Sequence, residues 1–276
     1  MNQVVDTVRQ ELLNAIETDQ LVLPTLPEAA LRVREIAEDP DASIAQLNDV
    51  IGNDAALTAR IIKVANSPLL RAPKVIENLN MALMRLGMEY TCNIATGLAM
   101  EQMFQATSDM VDKRLREIWT RSSEIAGICH VLCKHRTNLR PDQATLAGLI
   151  HKIGVLPILT YAEEHPHLLK DSFTLDKVIE ALEGEIGDRI LENWEFPDEL
   201  RRVPSQHMDF SRQADAPDYS DIVTVALLQS YMGSDHYLGD VDYASVTSFA
   251  RLGLEADEPQ EEDLDAEMEA AMKLLT

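Results

Sequence analysis

The chain has 276 residues, 24 of them lysine or arginine against 47 aspartates and glutamates, for a formal net charge of −23. Such a polyanion is repelled by phosphate backbones and anionic bilayers, which argues against nucleic acid or a membrane as a direct partner. At 46% hydrophobic residues it can still bury one large domain or two subdomains. No stretch is expected to reach the roughly 20 apolar residues of a membrane span. The acidic, amphipathic start MNQVVDTVRQELLNAIE lacks the basic and apolar regions of a signal peptide. Three cysteines, an odd number, suit a reducing cytoplasm better than a disulfide framework.

Apolar residues recur three and four apart nearly everywhere and no alternating strand pattern stands out, so the expected class is all-α. The first helix is predicted over 4–16, followed by LVLPTLPE, where two prolines three apart prevent regular helix. A second helix, 28–37, stops before Asp39 and Pro40. Ser43 and Gln46 form a capping box for a helix through Val50. Asp54 caps AALTARIIKVAN, whose Leu57, Ile61, Val64 and Ala65 share one face, and Asn66, Ser67 and Pro68 end it. An apolar helical region covers 79–104 with Gly87 as its break. A long helix, 111–136, carries Trp119, Ile125, Ile128 and Leu132, and 142–160 follows as one helix holding His151 and Lys152. Further helices are predicted over 175–182, 184–193, 197–207, 219–232 and 241–252. From Glu255 to Glu269 there are nine acidic residues and no basic one, with Pro259 as a start or break. Leu264, Met268, Met272 and Leu275 mark an amphipathic last helix, while the acidic tail reads as a solvated segment or a docking helix.

Residues 21–107 resemble the N-terminal part of the HDOD family, bacterial relatives of HD-domain metal-dependent phosphohydrolases. The likeness lies in the leucine-proline turn, the Asp-Pro stop and the register of Asp54, Leu57, Thr58, Ala65, Asn66 and Ser67. NLNMALMRLGMEYTCNIA continues it, and the likeness runs to about residue 232. The resemblance implies an HD-like multi-helix bundle in two subdomains, 1–108 and 109–235, with an acidic helical extension at 236–276.

In that superfamily the metal is held by a His, a His-Asp pair and a later Asp, with further histidines in some relatives. Here the first His falls on Arg121, the pair on His151 and Lys152, another His on Glu183, a His-His pair near Gln206 and His207, and the closing Asp near Leu227. A charged lysine has no lone pair for a cation. Only His151 and His207 keep ligand chemistry, so no metal and no cofactor are expected, and no residue is assigned a catalytic role.

His151 reads as a core histidine hydrogen-bonded within the fold, the alternative being a vestigial ligand. Lys152 and Arg121 either meet a carboxylate such as Glu183 or snorkel to solvent. Arg121, Lys152 and His207 form a candidate phosphate-ligand cluster. Cys129 and Cys133, with His130 and His135 nearby, share a helix face but lack a second ligand pair and read as core. Met81, Met84, Met88, Met100 and Met103 read as core or interface filler.

The resemblance implies a stand-alone, non-catalytic signal-transduction module acting through protein contacts. The rivals are a metal-dependent phosphohydrolase and a receptor for a nucleotide, second messenger or other small phosphorylated ligand.

Overall fold

The structure is a computed structural model, and it describes all residues other than 1, 19, 69, 71–73, 255–261, 274 and 276. Among the described residues there is no strand. In chain order the helices are α1 (Asn2–Glu17), α2 (Glu28–Glu38), α3 (Ile44–Gly52), α4 (Ala55–Ala65), α5 (Leu79–Leu86), α6 (Met88–Ala99), α7 (Asp109–Arg136) and α8 (Pro141–Ile150). They continue as α9 (Val155–Glu164), α10 (Pro166–Lys170), α11 (Ser172–Asn193), α12 (Asp198–Arg201), α13 (Val203–Gln206), α14 (Tyr219–Tyr231), α15 (Thr247–Arg251) and α16 (Glu262–Met272). Short 3-10 turns lie at Met100–Met103, Tyr237–Asp240 and Tyr243–Ser245.

Local signals explain the first half well. Both hydrogen bonds of the Ser43–Gln46 capping box are made. Asp54 accepts from the Leu57 amide, satisfying a donor the helix leaves open. Leu57, Ile61, Val64 and Ala65 are all buried. Gly87 takes a left-handed φ of 81°, which separates α5 from α6. Met100 is buried as expected, but Met84 is 70% exposed, because its face of α5 has no helix over it.

Asn66 closes α4 by tying it to the following loop. Its side-chain nitrogen donates to the carbonyls of Ile62 (3.0 Å) and Ile76 (2.8 Å), and its oxygen accepts from the Ile76 amide at 2.8 Å. Ser67 does not share the task, since its buried hydroxyl has no partner. Asn66 itself is exposed, so Asn66→Ala should cost about 1 kcal/mol, the ordinary net value of such bonds. A shift of the urea midpoint reads it; an unchanged midpoint would remove the structural role.

The 28-residue α7 is the spine of the second half and packs on α8, α14 and α16. α8 can lie close because Gly148 faces the Ala126 backbone, where a Cβ would stand 2.5 Å from Cα. α11 packs on α9, α13 and also on α1, where Arg9 meets Glu185 at 2.9 Å. One apolar core runs from Leu12 and Ile61 through Phe104 to Ile128 and Leu146.

The stretch 142–160 is not one helix. Pro157 lacks an amide donor and its ring clashes with the carbonyl four residues back, at Ile153. The chain turns over 151–154 and restarts as α9. Conversely, 175–182 and 184–193 are one helix, α11. Gly184 and Gly187 do not break it; they make room for Ser205 and Pro204 beside it. The 197–207 helix divides into α12 and α13, and 241–252 into a 3-10 turn and the short α15.

Within Pro141–Glu164 an 18-residue window reaches a mean hydropathy of 1.4, which by length and composition alone would suffice to cross a membrane. Yet 89% of that window is buried inside the fold, where α8 packs on α7 and α6 and α9 on α11. The expected last helix exists as α16: Leu264, Met268 and Leu275 are buried, and Glu267 reaches His135 at 2.9 Å. Pro259 lies outside the described residues.

Candidate functional site

The turn between α8 and α9 presents the two residues that the sequence marks most strongly. His151 caps the end of α8, and Lys152 follows at the surface of a cleft between α7, α9, α11 and α14. Gly154 is what brings this turn against α11: a Cβ there would sit 1.9 Å from the Glu183 carbonyl oxygen. That contact places Glu183 within reach of Lys152, and the two form a direct ion pair. Of the two readings of Lys152, the carboxylate partner is the one the fold adopts.

Arg121, His151, Lys152, Glu183 and Leu227 all line this cleft, which encloses about 690 Å³. His207 lies behind it, its ring centroid 5.1 Å from that of His151 in an edge-to-face arrangement. The six positions singled out by the sequence are therefore brought together, but not equivalently. Arg121 does not reach Glu183. It bonds Glu124 at 3.0 Å and Ser230 at 2.8 Å (carbonyl) and 3.0 Å (hydroxyl). Its guanidinium also lies 4.2 Å from the Tyr231 ring centroid, and Tyr231 stacks on His236 at 4.0 Å.

Backbone carbonyls fix the protonation of the two histidines. His151 Nδ1 lies 2.6 Å from the Gly148 carbonyl, and His207 Nδ1 lies 2.9 Å from that of Pro204. A carbonyl only accepts, so each Nδ1 carries the proton and each Nε2 a lone pair. Both Nε2 atoms are buried without a partner. Burial, with the Lys152 charge adding to it, pushes His151 down to about 3. Burial, then His151 and Lys152, hold His207 well below the ordinary imidazole range. Glu183 is pushed up by burial, while the Lys152 charge and hydrogen bond pull the other way. Its second oxygen has no partner.

These donors do not fit a divalent metal. Where the resemblance would put the pair's carboxylate stands an ammonium already bound to Glu183. Where it would put the first histidine and the closing aspartate stand a guanidinium and a leucine. Two imidazole nitrogens and the second Glu183 oxygen remain, and among the described residues no group of three or more His, Cys, Asp and Glu is disposed to hold a metal ion.

Cys129 and Cys133 are core residues: burial raises the Cys129 thiol well above its usual range and Cys133 to about 11. Nearby His130 is buried as well, against the Thr145 hydroxyl at 3.2 Å. Sequence reasoning missed the cleft's walls and rim, including Ser122, Val155, Leu159, Tyr231 and His236. One signal was available: Leu175, Ile179 and Glu183 are spaced four apart and line the same cleft from α11.

The family model for the HDOD domain matches residues 23–210. Among solved structures, a presumed metal-dependent phosphohydrolase from Shewanella amazonensis SB2B is 32% identical, with a TM-score of 0.85 over 100% of this chain and 99% of that one. A presumed signal-transduction protein from Marinobacter aquaeolei VT8 is 22% identical, with a TM-score of 0.63 over 98% of this chain and 65% of that one. An uncharacterized protein of Treponema pallidum (strain Nichols) is 22% identical over 193 residues, which are 64% of this chain and 36% of that protein's length.

Proposed function

Since the chain belongs to the HDOD domain family, we propose that it is a non-catalytic regulatory module of signal transduction, acting through protein contacts in a reducing cytoplasm. The observation that carries the reading is the Lys152–Glu183 ion pair, which occupies with protein charge the place where relatives of HD type would use a metal. Arg121 supports it, because its donors are committed to Glu124 and Ser230 rather than open to a substrate phosphate. The same commitment weighs against the phosphate-ligand cluster of Arg121, Lys152 and His207, since His207 lies behind the cleft and not among its lining residues. All three cysteines are free and buried, as suits that compartment.

The phosphohydrolase reading rests on the name of the Shewanella relative and on a shared fold. Elemental analysis separates the two. Purified protein should hold no stoichiometric Mn, Fe, Mg or Zn, and phosphodiesterase and phosphatase activity should be absent. Lys152→Asp alone should not restore activity, because Arg121 and Leu227 still stand at ligand positions. A transition metal bound through His151 and His207 would sink the proposal.

A further inference from the structure

We propose that the cleft binds a free long-chain aliphatic carboxylate, its chain along the walls and its head at Lys152. This rests on the reading that the cleft holds no metal.

The walls come first. Val155, Leu159, Leu169, Leu175, Ile179 and Leu227 line the space, and its volume of about 690 Å³ falls in the range of sites that enclose small molecules. An apolar side chain also stands at its rim: Met110, which lines the cleft, is 62% exposed. A lone exposed hydrophobic is ordinary, but this one continues the apolar wall outward.

The polar end is equally specific. Lys152 has three ammonium donors, and Glu183 takes one. Ser122 lines the same cleft, is 1% exposed, and its hydroxyl oxygen has no partner. Each is a donor open to an acceptor head. Each cation on the cleft already has a carboxylate partner: Lys113 with Glu117, Arg114 with Asp176, Arg121 with Glu124 and Lys152 with Glu183. The donors left on the Lys152 ammonium suit the two oxygens of one carboxylate. A phosphate dianion would bring a second charge with no free guanidinium to meet it. A cationic head would face the ammonium.

Titration calorimetry on the full chain tests this with octanoate, dodecanoate, dodecylamine, AMP and inorganic phosphate. Dodecanoate should bind one per chain, at least tenfold tighter than octanoate, since each buried methylene adds up to about fourfold. Dodecylamine should bind at least tenfold more weakly. Met110→Asp at the exposed rim and Leu169→Asp on the half-buried wall should each weaken dodecanoate tenfold or more with the helical circular-dichroism signal retained; Met110 is exposed enough that its variant should fold. No binding of dodecanoate, equal binding of the amine, or a preference for AMP or phosphate would overturn the proposal. So would cosedimentation with neutral phosphatidylcholine vesicles without uptake of free dodecanoate, which would assign the cleft to membrane acyl chains. Metal content is read separately: a failed titration of metal-free protein removes this inference and leaves the regulatory reading standing, whereas bound metal removes that reading.

Discussion

At pH 5 the protein should have lost about 4 kcal/mol of stability relative to pH 7.5 through His130 and His151 alone, roughly 2 kcal/mol from each. Burial pushes His130 down to about 4 and His151 down to about 3. An unfolded histidine takes a proton near pH 6.5, and these folded ones do not. The unfolded state therefore binds more protons, and stability present above pH 6.5 falls as the pH drops towards 3. His207, held well below its ordinary value, adds in the same direction. Glu183 opposes: its raised carboxyl favours the folded state more as the pH falls. Domains are stabilised by only about 5–15 kcal/mol, so the net loss should be plain in urea denaturation at the two pH values. Equal midpoints would show that neither imidazole stays neutral in the folded state at pH 5, and half the loss that only one does.

Lys152→Met should be strongly destabilising, costing about 3 kcal/mol. The loss is not chiefly that of an attraction. Glu183 is 5% exposed and would be left as an uncompensated buried carboxylate. The Lys152 side chain is 26% exposed, which puts the cost at the low end of the range for broken buried pairs. Replacing both residues by Met should recover most of it, because apolar groups of similar size need no partner. A double-mutant cycle measures the coupling. Additive costs, or a neutral Lys152→Met, would show that the pair is solvated and contributes little.

Much of this was legible in the sequence where the cause is local. Ser43, Asp54 and Gly87 set helix ends by their own side chains or conformational freedom, and those ends were found. The pairing of Lys152 with Glu183 was one of two open readings, the other being a lysine snorkelling to solvent, and it came from the resemblance to HD metal sites and not from local pattern. What escaped depends on distant neighbours. Gly184 and Gly187 look like breaks, but they are the flat side of a continuous helix against which Pro204 packs. Pro157 was a visible stop whose effect reaches back to the turn that carries His151 and Lys152. Arg121 could not be assigned to Ser230, because that bond spans 109 residues and depends on how α14 crosses α7. The apolar walls of the cleft follow from the same crossings.

On the proposed reading, in which the cleft descends from a metal site, the Lys152–Glu183 contact would also act as a ratchet on its evolution. Lys152→Asp would set two carboxylates against each other where one is already deeply buried, so the first step back towards metal chemistry passes through a damaged fold. Changing Glu183 first strands the ammonium instead. No single substitution restores a ligand set, and each intermediate loses stability before any activity could be selected. Sequences that have taken this route should therefore vary around the pair and drift together at it, exchanging both residues or neither.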